Sequence, residues 1–202
     1  MEFLIAFILI SALAMSGLRR IKLLNNAFAA QSLLISALCM AKGLQTGEYH
    51  YYILFILTLG IKVLGIPYIV NRSIRQIKLN RETELIINGF WSYIFTGFSV
   101  AVIFVVLRNY GDSIFRTGIA LMISGSILLI GRKKAITQML GLLTLENGIV
   151  LFEVAMIKMG WIIEFGILFE LLVLALIMGM MIFRINKTFD TVNTDYLTSL
   201  KE

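Results

Sequence analysis

"IGRKKAITQMLGLLTLENGIVLFEVAM", residues 130 to 156, places Arg132, Lys133 and Lys134 directly before an apolar run of helical length. A helix crosses a bilayer with about 17–25 mostly apolar residues, and the run from 135 to 157 meets that length. The basic cluster and the apolar body belong together, because Lys and Arg gather at the cytoplasmic ends of membrane helices. Inside the run sit Glu146, Asn147 and, two helical turns later, Glu153. A lone carboxylate at the centre of a bilayer costs about 3 kcal/mol or more on insertion scales, so such a residue has a partner or a task.

Working outward, six further runs read as helices that cross or nearly cross: 3–18, 24–41, 51–70, 86–107, 114–130 and 161–183. The chain has 202 residues, 59% of them hydrophobic, one proline and a mean hydropathy of +0.90. A soluble domain of this size cannot hide so much apolar surface, and the connectors are too short to form a second domain. The runs are too long for barrel strands and do not alternate. The expected fold is therefore all-α: a polytopic membrane protein of about seven transmembrane helices, forming one membrane domain over 1–202. Residues 1–85 hold the first three helices and 86–113 the fourth; 114–202 hold the last three and a tail. The first run is not read as a signal peptide. Glu2 stands where a positive segment is expected, and Arg19, Arg20 and Lys22 follow the run instead of preceding it.

Seven spans put alternate connectors on opposite faces of the membrane. One face receives Arg19, Arg20 and Lys22, the four basic residues between 72 and 81, the 132–134 cluster, and the three beyond 183. That makes thirteen of the 18 Lys and Arg residues. The other face receives Lys42, Arg108, Arg116 and Lys158, and Lys62 stays inside a span. The positive-inside rule makes the richer face cytoplasmic, with the N-terminus outside and the C-terminus inside. Residues 16–40 also resemble residues 130–156: a glycine, a basic cluster, then a helix with a polar centre. One helix separates the two triplets, which suggests a 3+1+3 parallel repeat.

The charges inside the spans carry the functional reading. At 1.5 Å per residue, Glu146 lies about 18 Å beyond Lys134, Glu170 about 21 Å before Arg184, and Lys62 about 15 Å before Arg72. The hydrocarbon core is about 30 Å thick, so all three fall near its middle on three different helices. Carboxylates and amines at that depth can exchange protons and form a relay or ion path. The rival reading is structural, with the same groups pairing to hold helices together or facing another subunit. Glu153 and Glu164 read as pathway or rim groups. Tyr49, Tyr51 and Tyr52 read as an interfacial anchor. Pro67 with Gly65 predicts a kink just below Lys62, freeing backbone carbonyls, and Gln31 and Ser32 are expected to hydrogen-bond a neighbouring helix.

One cysteine (Cys39) and one histidine (His50) cannot build an ordinary iron–sulfur, zinc or bis-histidine haem site within this chain, so no cofactor or metal is expected in it. The net charge of +6 sits in short loops beside apolar spans, which points to a bilayer and not to nucleic acid.

Five stretches, "FAAQSLL", "IKVLGIPYIV", "QMLGLLTLENG", "IEFGILFELL" and the tail "DTVNTDYLTSLKE", resemble hydrogenase-4 component E. That family is a membrane subunit of group 4 nickel–iron hydrogenase and formate hydrogenlyase-type complexes. The likeness runs from the second helix to the last residue. Residues 114 to 195 further resemble subunit K of respiratory complex I, in which two membrane glutamates belong to the proton path. Glu170 matches the second of these directly. Glu146 stands three residues after the position of the first, which here is Leu143; three residues is nearly one turn, a shift of about 4.5 Å on the same face. Lys62 and Pro67 match the hydrogenase component alone.

The resemblance implies a non-catalytic membrane-arm subunit in the inner (cytoplasmic) membrane. It would couple electron transfer in partner subunits to proton or sodium translocation through Glu146, Glu170 and Lys62. The nickel–iron centre and iron–sulfur clusters would lie in cytoplasmic hydrogenase partners, with antiporter-like subunits beside it in the membrane. Two alternatives stay open: a stand-alone small-solute carrier, since small sugar carriers share a 3+1+3 repeat, and a purely structural spacer.

Overall fold

The computed structural model describes residues 1–77, 86 and 88–156, all within one unit, Met1–Gly166. Every regular element among them is helical: α1 (Glu2–Gly17), α2 (Ile21–Thr46), α3 (Tyr49–Leu57), a π-helical stretch (Thr58–Gly65), α4 (Ile66–Ile77), α5 (Gly89–Val106), α6 (Ser113–Gly131) and α7 (Ala135–Ala155). The third apolar run is thus α3, the π stretch and α4 in unbroken succession, and runs four to six are α5, α6 and α7. Among the described residues, five helices are long and apolar enough to cross a membrane, the run from Tyr49 to Arg72 counted as one, and α1 is a shorter apolar helix of 16 residues. The expected seventh span, 161–183, lies outside the described residues.

Helix ends follow local chemistry. Asp112 caps α6, its carboxylate accepting from the Phe115 amide at 3.0 Å and satisfying one of the amides that a helix start leaves open. Gly47 ends α2 in the left-handed region (φ 73°), which glycine adopts without a Cβ penalty, and its amide donates to the Gly43 carbonyl at 2.8 Å.

The tightest packing joins α6 to α7 through the three-residue connector Arg132–Lys134. Gly118 and Gly125 on α6 face α7, while Gly141 and Gly148 on α7 face α6. A Cβ at Gly148 would stand 2.6 Å from the Gly118 carbonyl oxygen, and one at Gly141 would stand 2.6 Å from the Leu129 amide nitrogen. Small residues let membrane helices approach at backbone distance, where dispersion contacts replace the hydrophobic drive that lipid cannot supply.

The basic helix ends meet in space. The Ile86 amide donates to the Gly131 carbonyl at 3.1 Å, and the Arg19 guanidinium donates to the Asn88 side-chain oxygen at 3.1 Å. Arg132, only 2% exposed, reaches under the end of α1 and donates to the Met15 and Ser16 carbonyls at 3.3 and 3.2 Å. The last carbonyls of a helix have no intrahelical partner and carry partial negative charge, so a guanidinium is a fitting cap. At the opposite end, the rings of Phe115 on α6 and Phe152 on α7 pack 5.4 Å apart, and Arg116 stacks over Phe104. Helices α1, α5, α6 and α7 therefore alternate in direction.

α5 leaves the most side chains uncovered, among them Phe90, Trp91, Phe95 and Phe98, and α1 exposes Phe3 and Phe7. In water such a surface would be a liability; against lipid tails it is the expected exterior.

Candidate functional site: a buried charged pair with a polar collar

Glu146 lies at the middle of α7, two residues beyond Thr144, whose hydroxyl folds back on the Leu140 carbonyl at 2.8 Å. It is buried, and so is Asn147 beside it. Neither is left in oil. The Asn147 side-chain amide donates to the Gln31 carbonyl oxygen at 3.3 Å and to the Ser32 hydroxyl at 3.1 Å, tying α7 to the middle of α2. Gln31 and Ser32 thus do bond a neighbouring helix, and that helix carries Glu146.

Opposite Glu146 stands Lys62, whose ammonium lies 3.6 Å from the Glu146 Oε1, with the two side chains 1% and 3% exposed. A charge-assisted hydrogen bond is about 2.7–2.9 Å long, so this spacing keeps the charges together without locking them. Lys62 comes from the π stretch, and the sequence explains that stretch. Pro67 has no N–H, and in a regular α-helix its ring would press on the Val63 carbonyl four residues back. A wider turn relieves this, and the Ile66 amide bonds to Ile61, five residues earlier. The expected kink below Lys62 is therefore a π turn that contains Lys62. The Pro67 carbonyl accepts from the Asn25 side chain of α2 at 3.2 Å.

The site is thus built from α2 (Asn25, Gln31, Ser32), the π stretch (Thr58, Lys62) and α7 (Glu146, Asn147), and all seven side chains are buried. Four of their polar atoms have no hydrogen-bond partner among the described residues: Asn25 Oδ1, Gln31 Nε2, Thr58 Oγ1 and Asn147 Oδ1. An ion pair held in such surroundings can bind, pass or block a proton or small cation. No group of three or more His, Cys, Asp or Glu side chains that could hold a metal occurs among the described residues.

Of the other residues named from the sequence, Glu153 lies two turns beyond Glu146 and is 2% exposed, so helices of this chain enclose it and it does not stand at a wet rim. Glu164 and Glu170 lie outside the described residues. Tyr51 corrects its expectation. It is buried, and its hydroxyl donates to the Val154 carbonyl at 3.4 Å, whereas Tyr49 alone of the three is well exposed. A tyrosine near a span end reads as an interfacial anchor in sequence, but Tyr51 points between α3 and α7 instead of outward. Sequence reasoning also missed Asn25, although it precedes Ser32 by seven residues and so shares its helical face. Arg132 was read as one more loop cation, and its burial carries no local sequence signal.

No protein-family model, curated protein or solved structure matches the chain.

Proposed function

We propose that this chain is a non-catalytic membrane-arm subunit of an energy-converting, complex-I-like assembly of the nickel–iron hydrogenase type, in which the Lys62–Glu146 pair is a protonatable station for proton (or sodium) movement. The observation that carries this is the meeting of two opposite charges from separate helical segments, 3.6 Å apart and both buried; the run of residues from each basic cluster argues for a similar depth for both. Simple helix cohesion does not need ionisable groups: replacing a buried ion pair by well-packed apolar residues is often neutral or stabilising. Groups whose charge state can change suit transport better. Protonating Glu146 would leave Lys62 facing a neutral acid, and deprotonating it would restore the attraction, so each side chain biases the other. Glu170, at similar depth by sequence, is the next station in this reading, with the enclosed Glu153 as a further pathway group and Glu164 as a pathway or rim group.

In this reading the basic helix ends face the cytoplasm and the N-terminus lies outside, supported by the charge asymmetry, and the membrane is the inner one. Redox centres belong to cytoplasmic partner subunits, and antiporter-like subunits would continue the path within the membrane. Exposed aromatic α5 offers apolar surface for such neighbours or for lipid.

The test is Glu146→Gln in the intact complex. Assembly and hydrogen turnover with an artificial electron donor should persist, while ion uptake into vesicles, or turnover that depends on it, should fall sharply. Normal uptake by a fully assembled variant would return Glu146 to a cohesive role. If the chain purifies alone or as a homo-oligomer and never with hydrogenase proteins, the small-solute carrier takes precedence.

A further inference from the structure

On the helix from Tyr49 to Arg72, Thr58 and Val70 are both buried, whereas Ile56 and Tyr68 are both exposed. The members of each pair stand a dozen positions apart. A regular α-helix turns about 100° per residue, so that distance makes three turns and about 120° more. In such a helix the two members would lie on different faces. The buried and exposed stripes run straight because the π stretch Thr58–Gly65 intervenes. Its wider turn takes up about one residue more than an α turn and cancels most of the excess rotation. Lys62 stands inside that stretch, so its alignment with Glu146 depends on the extra residue. The two flanks are held separately. N-terminal to the stretch, the Tyr51 hydroxyl bonds the Val154 carbonyl of α7, and Tyr51 lies against Gly43 of α2. α3 thereby keeps its phase with the helix that carries Glu146. C-terminal to it, the link to α2 is the Asn25 bond to the Pro67 carbonyl. The outer side of the stretch is open: Leu64 is exposed, and a Cβ at Gly60 would meet nothing within 4 Å.

We propose that the π stretch is a hinge with two registers, and that the Lys62–Glu146 attraction holds it in the one seen here. In the other register the stretch winds as a regular α-helix, and Lys62 and α4 turn by about 100° against α3. The Asn25–Pro67 bond then breaks, and Lys62 leaves Glu146 for the half-buried side on which Val63 now lies. Pro67 favours the π register, because it has no N–H with which to close the regular bond to the Val63 carbonyl. Gly60 and Gly65, poor helix formers, keep the stretch from strongly preferring the α form. Neutralising Glu146 removes the attraction and shifts the population toward the second register. The buried pair thus reports its own charge state to the backbone. The inference deepens the transport reading and rests on it for its purpose, but the two registers can be observed without measuring transport.

The test uses the purified full chain in liposomes, in a Cys39→Ala background, with single nitroxide labels read by collision with dissolved oxygen, which concentrates among lipid tails. Labels replace Ile53 and Ile56 on the α3 flank, and Val63, Leu64 and Tyr68 beyond the start of the π stretch. In the parent, the rates at 53, 56, 64 and 68 should be high and the rate at 63 low, following their exposure. Glu146→Gln is nearly isosteric, and Pro67→Ala restores the missing amide; each should move the pattern by one residue. The rates at 64 and 68 should then fall about twofold or more and the rate at 63 should rise, with 53 and 56 unchanged, as a turn from exposed to half-buried positions requires. A slip in either variant supports the hinge, so a fold defect in one does not decide the matter. The parent's pattern persisting in both variants, or a parent that already shows the slipped pattern, overturns it. A slip with unimpaired ion uptake in Glu146→Gln would sink the transport reading alone, and an unchanged pattern with lost uptake would sink the hinge alone.

Discussion

Removing the ammonium from the buried pair should cost more than removing both charges. In Lys62→Met the apolar stem is replaced at similar volume, and Glu146 keeps its carboxylate without the cation 3.6 Å away. At an effective dielectric of about 20, two unit charges at that distance attract by about 4–5 kcal/mol. Breaking a buried pair by deleting one member typically costs about 3–5 kcal/mol, because an uncompensated charge remains. Adding Glu146→Gln removes that charge, and the amide is nearly isosteric. The double variant should therefore be more stable than Lys62→Met alone and stand within about 1–2 kcal/mol of the parent. For a chain of this size 1 kcal/mol shifts the unfolding midpoint by about 2–4 °C, so Lys62→Met should melt roughly 6–20 °C early, with most of the loss recovered in the double variant. The assay is thermal unfolding of the purified full chain in lipid–detergent micelles, followed by helical circular dichroism. A double variant less stable than Lys62→Met, with losses that simply add, would refute the pairing as an energetic unit.

Other outcomes follow from the packing and the ends of the helices. Gly148→Ala must push against the Gly118 carbonyl and should destabilise by about 1–3 kcal/mol in the same melt, whereas Gly60→Ala, with nothing within 4 Å of the added carbon, should be nearly silent. Arg132→Ala strips two charge-assisted bonds from the end of α1, so limited proteolysis at the Arg19–Arg20 connector should speed up while α6–α7 stays protected; equal cleavage rates would show that the cap does not hold α1. Asn147→Leu breaks the link to Gln31 and Ser32 and leaves buried polar groups unpaired, a loss of about 1–3 kcal/mol by the same measurement, and a midpoint at the parent's value would show that the collar adds no stability. For topology, Lys133→Cys should react with impermeant reagent only from the cytoplasm and Ser113→Cys only from outside; both reacting from one face would defeat the alternation.

Much of this was legible in the sequence because membrane helices obey a simple length and charge rule. Six of the seven expected runs coincide with described helical segments, although α2 extends past both ends of its apolar run, from Ile21 to Thr46. Apolar windows miss its polar first turns because Asn25 and Asn26 dilute them. Depth arithmetic put Lys62 and Glu146 at one level; it could not say that they face each other, since rotation about each helix axis is set by neighbours and not by local pattern. Proline chemistry announced an irregularity near Lys62, but the choice of a π turn over a simple kink depends on how α2 packs against it through Asn25 and Pro67. Arg132 and Tyr51 were misread for a common reason. Both sit near span ends, where Arg and Tyr usually meet water, and only tertiary packing turns them inward.

The Arg132 cap also has a consequence for how the chain is made. Its two bonds join residues 116 and 117 positions apart. At translation speeds of about 5–20 residues per second, the end of α1 waits roughly 6–23 s for Arg132 to be synthesised. Throughout that interval the end of a short first helix must have its terminal carbonyls satisfied by water or lipid headgroups instead. The insertion machinery thus handles α1 as a provisional guest, and the basic turn between α6 and α7 completes its anchorage. A ribosome stalled before residue 132 should leave α1 extractable from the bilayer, and release of a few dozen further residues should fix it in place.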